Sequence, residues 1–228
     1  MAGVSTAAEA DRGTLADGAR AAVPVAVAVG VFGIAFGVLA RDAFGGVAAL
    51  VFSATTFAGS AQFAAVSLLG TGGVAGAIVA ALLLNARYLP IGVSVAPSLP
   101  RPLWRRLLAA QLCVDESWAI AHRGGGRYDA RILIGAGVVL YASWLVGTAA
   151  GLAGGELLGE PEDLGLDAAF PALFLAILAG QVHDRRGAVA AVLGGALALA
   201  LVPFVPAGVP IIAASVVCLI GLRPERGS

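Results

Sequence analysis

The sequence predicts an all-α, polytopic integral membrane protein with seven to eight transmembrane helices, some of them short, broken or re-entrant. Of its 228 residues 59% are hydrophobic and only 12% are charged, whereas soluble domains carry about 25% charged residues. The stretch from Ala43 to Ala86 contains 44 residues without a single charge. A spanning helix needs roughly 20 apolar residues, and a helix satisfies its own backbone hydrogen bonds in lipid. We therefore expect one transmembrane permease domain, 1–228, made of helices.

Charges and turn residues mark the ends of the predicted helices. Arg20 and Arg41 bracket the first helix, and "GTGG" at residues 70–73 divides the long uncharged run. The fourth segment is less apolar and holds two acidic residues, and "PFVPAGVP" splits the last run into two short helices. A polar tail, 1–20, precedes the helices and does not resemble a cleaved signal peptide; the C-terminal tail is 223–228. The predicted spans are 21–40, 45–69, 74–95, 105–122, 132–155, 168–182 and the divided run 187–222.

Arginine-rich loops predict the orientation, because such loops stay on the cytoplasmic side. "HRGGGRYDAR", "HDRR" and both termini are expected inside, and the arginine-free loop 156–167 is expected outside. One loop conflicts with this count, since Arg101, Arg105 and Arg106 would face outside. Either that loop breaks the rule, or a segment is re-entrant, and the two candidates are the opening stretch and the acidic fourth segment.

The remaining composition narrows the class of protein. The net charge is zero, which predicts no nucleic-acid partner. Cys113 and Cys218 lie at a spacing that matches neither a disulfide framework nor a metal motif. We expect no metal and no cofactor, and the lipid bilayer is the first partner.

The first polar group inside the apolar sequence is "TTFAGSAQF". Helix packing and bonds back to the helix's own backbone suffice for Thr55, Thr56 and Ser60. They explain Gln62 less well, because a primary amide without partners in hydrocarbon costs several kcal/mol. Gly59 beside Ser60 suggests a discontinuous helix near the middle of the membrane, where freed backbone groups meet a substrate. Gly59, Ser60 and Gln62 are therefore candidate substrate-binding residues.

The second polar group is "LLLNARYLP", in which Asn85 and Arg87 interrupt the third span. An arginine inside a span costs ~2.5 kcal/mol or more, so it is usually functional or paired. The alternative is that Arg87 snorkels from near the helix end, with Pro90 marking the exit. Asn85 and Arg87 complete the candidate substrate-binding set.

The third polar group is "QLCVDESWAIAH". Gln111, Asp115, Trp118 and His122 follow at i, i+4, i+7 and i+11, which places them on one face of a continuous helix. A buried carboxylate can carry a proton at physiological pH, so Asp115 and Glu116 are candidates for proton coupling. The alternative is an amphipathic surface helix with a solvated polar face.

Four segments, "GIAFGVLARDAF", "FAGSAQFAAVSLL", "LLLNARYLPIGVSVAP" and "DESWAI", occur in this order, and with them the chain resembles the AzlC (YgaZ) family of branched-chain amino acid transporters. The resemblance runs from about Pro24 to the C-terminal span, and its most specific parts are "FAGSAQF" and the asparagine–arginine element. This chain has Tyr88 where relatives often carry histidine.

The resemblance implies an inner-membrane permease that exports valine, leucine, isoleucine or analogues of them. It also implies proton-driven export and a second subunit, a small membrane protein of the AzlD type. In such a permease we expect the three polar groups to converge around a hydrated cavity, with Arg87 near the substrate carboxylate and Asp115 near the ammonium group or the coupling proton.

Two other classes of protein remain as alternatives. An intramembrane hydrolase would need a serine and a histidine poised together, and Ser60 with His122 is the one plausible pair. A non-transporting membrane scaffold would tolerate apolar replacements of Gln62, Arg87 and Asp115. We expect no enzymatic activity.

Overall fold

The computed structural model describes residues 13–158, 184–205 and 209–217, together with residues 175, 178, 179 and 182. This part of the chain contains nine α-helices and no strand, which confirms the predicted fold class. Three helical stretches are long and apolar enough to cross a membrane, namely Leu15–Arg41, Gly73–Val95 and Ala130–Gly154. In chain order the helices are α1 (Leu15–Phe44), α2 (Gly46–Thr56), α3 (Gly59–Asn85), α4 (Tyr88–Val95), α5 (Leu103–Gln111), α6 (Asp115–Ala121), α7 (Ala130–Leu158), α8 (Arg185–Leu201) and α9 (Val209–Val217).

Several predicted spans prove to be broken helices. The span 45–69 is interrupted at Phe57 and Ala58, and the span 74–95 at Ala86 and Arg87. The turn predicted at 70–73 is present as a kink at Gly73 (φ 65°), a backbone conformation that glycine adopts without steric cost. Helix α8 ends at Leu201, just before Pro203, and α9 begins at Val209, so the last run is divided as predicted. The predicted span 168–182 and the C-terminal tail lie outside the described residues, apart from the few positions named above.

The chain forms two compact units. Unit 1 consists of Met1–Gly59 and Pro90–Pro161, and unit 2 of Ser60–Leu89 and Glu162–Ser228. In unit 2, α3 folds back at Gly73, and α8 packs against α9, where Gly194 lies against Ala214. In unit 1, α1 and α7 form the largest helix pair.

Glycines allow α1 and α7 to approach to backbone contact. A Cβ atom on Gly33 would lie 2.6 Å from the carbonyl oxygen of Trp144 and 3.2 Å from Cα of Gly147. One on Gly37 would lie 3.0 Å from Cα of Gly151 and would overlap the Thr148 carbonyl oxygen. These four glycines form small-xxx-small pairs, a pattern that lets membrane helices approach closely, and the contacts show that role here.

The same contacts show that α1 and α7 run parallel. Gly18 near the start of α1 meets Ile132 near the start of α7, and Gly37 near the end of α1 meets Gly151. Both helices therefore cross the membrane in the same direction. Arg20 and the loop 122–129 consequently lie on the same side, in agreement with the orientation predicted from the arginines.

The acidic fourth segment does not cross the membrane. α5 has nine residues and α6 has seven, so at 1.5 Å per residue they extend about 14 Å and 10 Å. Val95 before the segment and Ala121 at its end belong to the same core cluster as Ile132 and Leu133, in the first turn of α7. The segment thus enters and leaves at one end of α7, and α5 and α6 form a re-entrant hairpin.

The tip of this hairpin, residues 112–114, lies deeper along α7. The Leu112 carbonyl packs directly against Gly137, which is seven residues, or about 10 Å, beyond the start of α7. Because Leu99 packs against the cluster at the start of α7, the neighbouring Arg101 belongs to the arginine-rich side. Re-entry of the fourth segment therefore places Arg101 on the same side of the membrane as the loop 122–129.

Cysteine labelling from the two sides of the membrane tests this topology. In a chain with Cys113 and Cys218 replaced by serine, we expect Arg101→Cys and Arg127→Cys to react with an impermeant maleimide from the same side. Val47→Cys, at the opposite end of the α1–α7 pair, is expected to react from the other side. Labelling of positions 101 and 127 from opposite sides would show that the fourth segment crosses the bilayer.

Candidate functional site

The broken helix α2 ends near the middle of the membrane-spanning part of unit 1. The candidate span Ala130–Gly154 has its midpoint next to Tyr141. The hydroxyl of Tyr141 donates a hydrogen bond to the carbonyl oxygen of Ala54 (2.8 Å), and its ring packs edge-on against Phe57 at 5.0 Å between centroids. The discontinuity that the sequence predicts beside Gly59 is therefore present at mid-span.

The last carbonyl groups of α2 are held by side chains. A helix end leaves its final carbonyls without partners inside the helix. Nε2 of Gln111 donates to the carbonyl oxygens of Thr55 (3.1 Å) and Ala54 (3.3 Å). The first and third polar groups of the sequence thus meet inside unit 1, through Gln111 and the end of α2.

The predicted polar stripe along the fourth segment is wrong, because no continuous helix joins its members. α5 ends at Gln111 and α6 begins at Asp115, and the intervening residues turn the chain back. The hydroxyl of Ser117 stabilises this turn, since it accepts from the backbone N–H of Val114 (2.9 Å) and donates to the carbonyl of Leu112 (2.8 Å).

The other two members of the stripe pack elsewhere in unit 1. Nε1 of Trp118 donates to the hydroxyl of Ser94 (3.0 Å), and its ring lies 5.6 Å from that of Tyr128. His122 also contacts Tyr128, at 5.3 Å between ring centroids. Trp118 and His122 therefore fix the base of the hairpin near the start of α7.

The two candidate proton carriers lie at the hairpin tip. Asp115 and Glu116 are the first residues of α6 and are half-buried. Cys113, which precedes them and lies outside the three candidate spans, has its pKa raised to about 11 by burial and, secondarily, by the negative charge of Asp115. At physiological pH the Cys113 thiol is therefore protonated.

In unit 2, the fold of α3 brings the second polar group to the first. Ser60 lies in the first turn of α3 and Arg87 directly after its end, with Gly73 halfway between them. Nη2 of Arg87 donates to the hydroxyl of Ser60 (2.8 Å), and the guanidinium lies over the ring of Tyr88, 5.3 Å from its centroid. Arg87 is half-buried and its side chain turns to Ser60, so it does not snorkel away from the protein.

Two amide side chains accompany this pair in unit 2. Gln62 is fully buried at 0% exposure, so its amide does not face lipid. Asn85 ends α3, and its Oδ1 is buried without a hydrogen-bond partner in the described part of the chain. A buried carbonyl oxygen of this kind costs about 1–3 kcal/mol, which marks it as a group suited to a bound donor.

Gly59 and Thr55 contact neighbouring groups of unit 1. Gly59 lies against the Trp144 ring, where a Cβ atom would come within 3.2 Å. Thr55 bonds back to the carbonyl oxygen of Val51 (2.8 Å), as the packing interpretation predicts. Ser60, one member of the hydrolase alternative, has Arg87 as its hydrogen-bond partner, and His122 packs on Tyr128.

Sequence reasoning missed Tyr141. Its signal is a lone phenol in the middle of the apolar span 132–155, because a buried tyrosine hydroxyl usually has a hydrogen-bond partner. Among the described residues, no group of three or more histidine, cysteine, aspartate or glutamate side chains is arranged to hold a metal ion.

Parallel spanning helices, half-length broken helices and a re-entrant hairpin define a polytopic α-helical membrane protein. The family model described as "AzlC protein" matches residues 24–158, and the chain belongs to this family. A curated relative from Archaeoglobus fulgidus, described as "Uncharacterized membrane protein", is 33% identical over 180 residues, covering 78% of this chain and 80% of the relative. No solved structure matches the chain.

Proposed function

We propose that the protein is a permease that exports branched-chain amino acids, namely valine, leucine, isoleucine or analogues of them, from the bacterial cell across the inner membrane. In this proposal it is not an enzyme; it is the large subunit of a two-component transporter with a small AzlD-type membrane partner. Membership of the AzlC family supports this proposal, as does the construction of unit 1 and unit 2 from broken helices, which transporters use to expose backbone groups at mid-membrane.

The observation that carries the proposal is the Arg87–Ser60 hydrogen bond in unit 2. A half-buried guanidinium next to a helix break offers several N–H donors to a carboxylate. Amide groups in the first turn of α3 add donors of the same kind, since a helix N-terminus favours a negative charge. Arg87, Ser60 and the side-chain N–H groups of the neighbouring Asn85 and Gln62 form the carboxylate-binding group of the substrate site.

An efflux assay tests the transport proposal. Cells or vesicles loaded with labelled valine are expected to lose the label faster when the protein is present together with its small partner. Labelled lysine is the matched control, since a cationic side chain does not fit an apolar substrate class. Equal efflux of valine with and without the protein would instead favour the scaffold alternative.

Proton coupling is proposed for Asp115, with Glu116 beside it. Both carboxylates lie next to the tip of a hairpin that reaches about 10 Å along α7. In the proposed mechanism they take up a proton from the outside and release it inside during a conformational cycle.

We expect the Asp115→Asn variant to export valine slowly and at the same rate from external pH 5.5 to 8. The wild-type rate is expected to rise as the external pH falls, because protons then enter in exchange for substrate. Asp184→Asn is the matched control, since Asp184 is exposed and caps α8 through Gly187 (2.6 Å), and its pH profile should follow the wild type. A wild-type pH profile in the Asp115→Asn variant would remove this carboxylate from the coupling step.

A further inference from the structure

The C-terminal end of α2 presents two adjacent carbonyl oxygens at mid-span, those of Ala54 and Thr55. The end of a helix carries roughly half a negative charge from the aligned peptide dipoles, and that charge is screened least where water is scarce. Unit 1 therefore contains a fixed, partly negative group at a depth where the bilayer itself offers no counter-charge.

The side-chain nitrogen of Gln111 already contacts these two carbonyl oxygens. Nε2 of Gln111 lies 3.1 Å from the Thr55 oxygen and 3.3 Å from the Ala54 oxygen, so the end of α2 receives N–H donors from one nitrogen. The hydroxyl of Tyr141 approaches the Ala54 oxygen as well, at 2.8 Å. The arrangement selects a small group with several N–H donors.

The Gln111 side chain can leave. It is the last residue of α5, other protein groups do not cover it, and the re-entrant hairpin that carries it turns immediately afterwards. A neutral amide gains only a modest net free energy from such bonds. A cationic donor gains roughly twice as much, so a charged ligand can displace the amide.

We infer that the C-terminal end of α2 is a binding site for a primary ammonium group, and that the Gln111 amide occupies this site in the absence of ligand. The Ala54 and Thr55 carbonyls and the Tyr141 hydroxyl oxygen are its acceptors. The inference goes beyond the proposed function, because it holds for any small primary amine and involves residues of unit 1 alone.

The natural sequence contains no lysine, which permits a direct test with a tethered ammonium group. In the Gln111→Lys variant of the full chain, the new amine is expected to sit at the end of α2. The variant should unfold at a temperature at or above that of the wild type, and its amine should be acylated at least tenfold more slowly than that of the control Leu107→Lys. Position 107 lies one turn earlier on α5 and is 62% exposed.

A second variant tests the empty site with a free ligand. Gln111→Ala is expected to be stabilised by isobutylammonium chloride but not by choline chloride at the same ionic strength, since choline has no N–H donor. The wild type should need at least tenfold more isobutylammonium for the same shift in unfolding temperature, because its own amide competes. Leu107→Ala should respond as the wild type does.

Three outcomes would overturn the inference. The first is that the amine of Gln111→Lys is acylated as fast as that of Leu107→Lys. The second is that isobutylammonium and choline shift the unfolding temperature of Gln111→Ala equally. The third is that sodium chloride shifts it as much as isobutylammonium does, which would indicate a metal-cation site. None of these measurements uses transport. If the protein binds isobutylammonium but does not export valine, only the proposed function is contradicted. If it exports valine but is not stabilised by isobutylammonium, only the ammonium site is contradicted.

Discussion

Replacing Arg87 with glutamine is expected to reduce valine export at least tenfold, mainly through weaker substrate binding. Arg87 donates to Ser60 from the break between α3 and α4, and in the proposed site its guanidinium pairs with the substrate carboxylate. Hydrogen bonds to a charged group contribute about 1.5–3 kcal/mol, and 1.4 kcal/mol corresponds to a factor of ten. Initial export rates measured over a range of internal valine concentrations give the change in apparent KM.

The matched control is Arg185→Gln. Arg185 belongs to the same unit and is exposed at the start of α8, so its loss should leave the apparent KM unchanged. Arg87→Lys keeps the charge but not the planar pair of donors, and an intermediate KM is expected. Export by Arg87→Gln at the wild-type KM would show that the guanidinium does not bind the substrate.

The break beside Gly59 could be predicted because two features of the local sequence indicate it. A glycine weakens a helix, and the serine and glutamine that follow it need partners inside the protein. The structure ends α2 at Thr56 and starts α3 at Gly59. The glycine contacts of α1 with α7 were predictable for a similar reason, since small residues four apart line one face of a helix.

The break inside the fourth segment could not be predicted from periodicity. Gln111, Asp115, Trp118 and His122 keep helical spacing across residues 112–114, where neither glycine nor proline marks a turn. The turn depends on Ser117, whose hydroxyl bonds to backbone groups before α6, and on Gly137, which gives the Leu112 carbonyl room against α7. The second of these is a contact between distant parts of the chain, so no local pattern reveals it.

The Ser60–Arg87 pair depends on the fold of one hairpin. Gly73 lies 13 residues after Ser60 and 14 residues before Arg87, so a fold-back at Gly73 brings the two side chains to the same level. Once the turn is placed at Gly73, the sequence shows that the two arms of the hairpin have nearly the same length. The sequence does not determine that the arms pack side by side, and this packing is what converts two separate polar groups into a candidate carboxylate site.

A single added methyl group at Gly37 is expected to destabilise the protein by about 2 kcal/mol, as overpacking of a tight interior does. In Gly37→Ala the new Cβ meets main-chain atoms of α7: it overlaps the Thr148 carbonyl and lies 2.9 Å from the Leu152 nitrogen. Main-chain atoms cannot rotate away, so α1 and α7 must move apart. The packing between the two helices is then weakened.

Gly76→Ala is the matched control and should change stability in the opposite direction. Gly76 lies inside α3 with no atom within 4 Å of the added Cβ, so only the helix propensity changes, which favours alanine by up to about 1 kcal/mol. The midpoint of detergent-induced unfolding of the purified full-length protein, followed by tryptophan fluorescence, measures both effects. A Gly37→Ala midpoint equal to that of Gly76→Ala would mean that α1 and α7 do not pack at backbone distance in the membrane, and with that the parallel pair and the re-entrant hairpin placed against it would both be wrong.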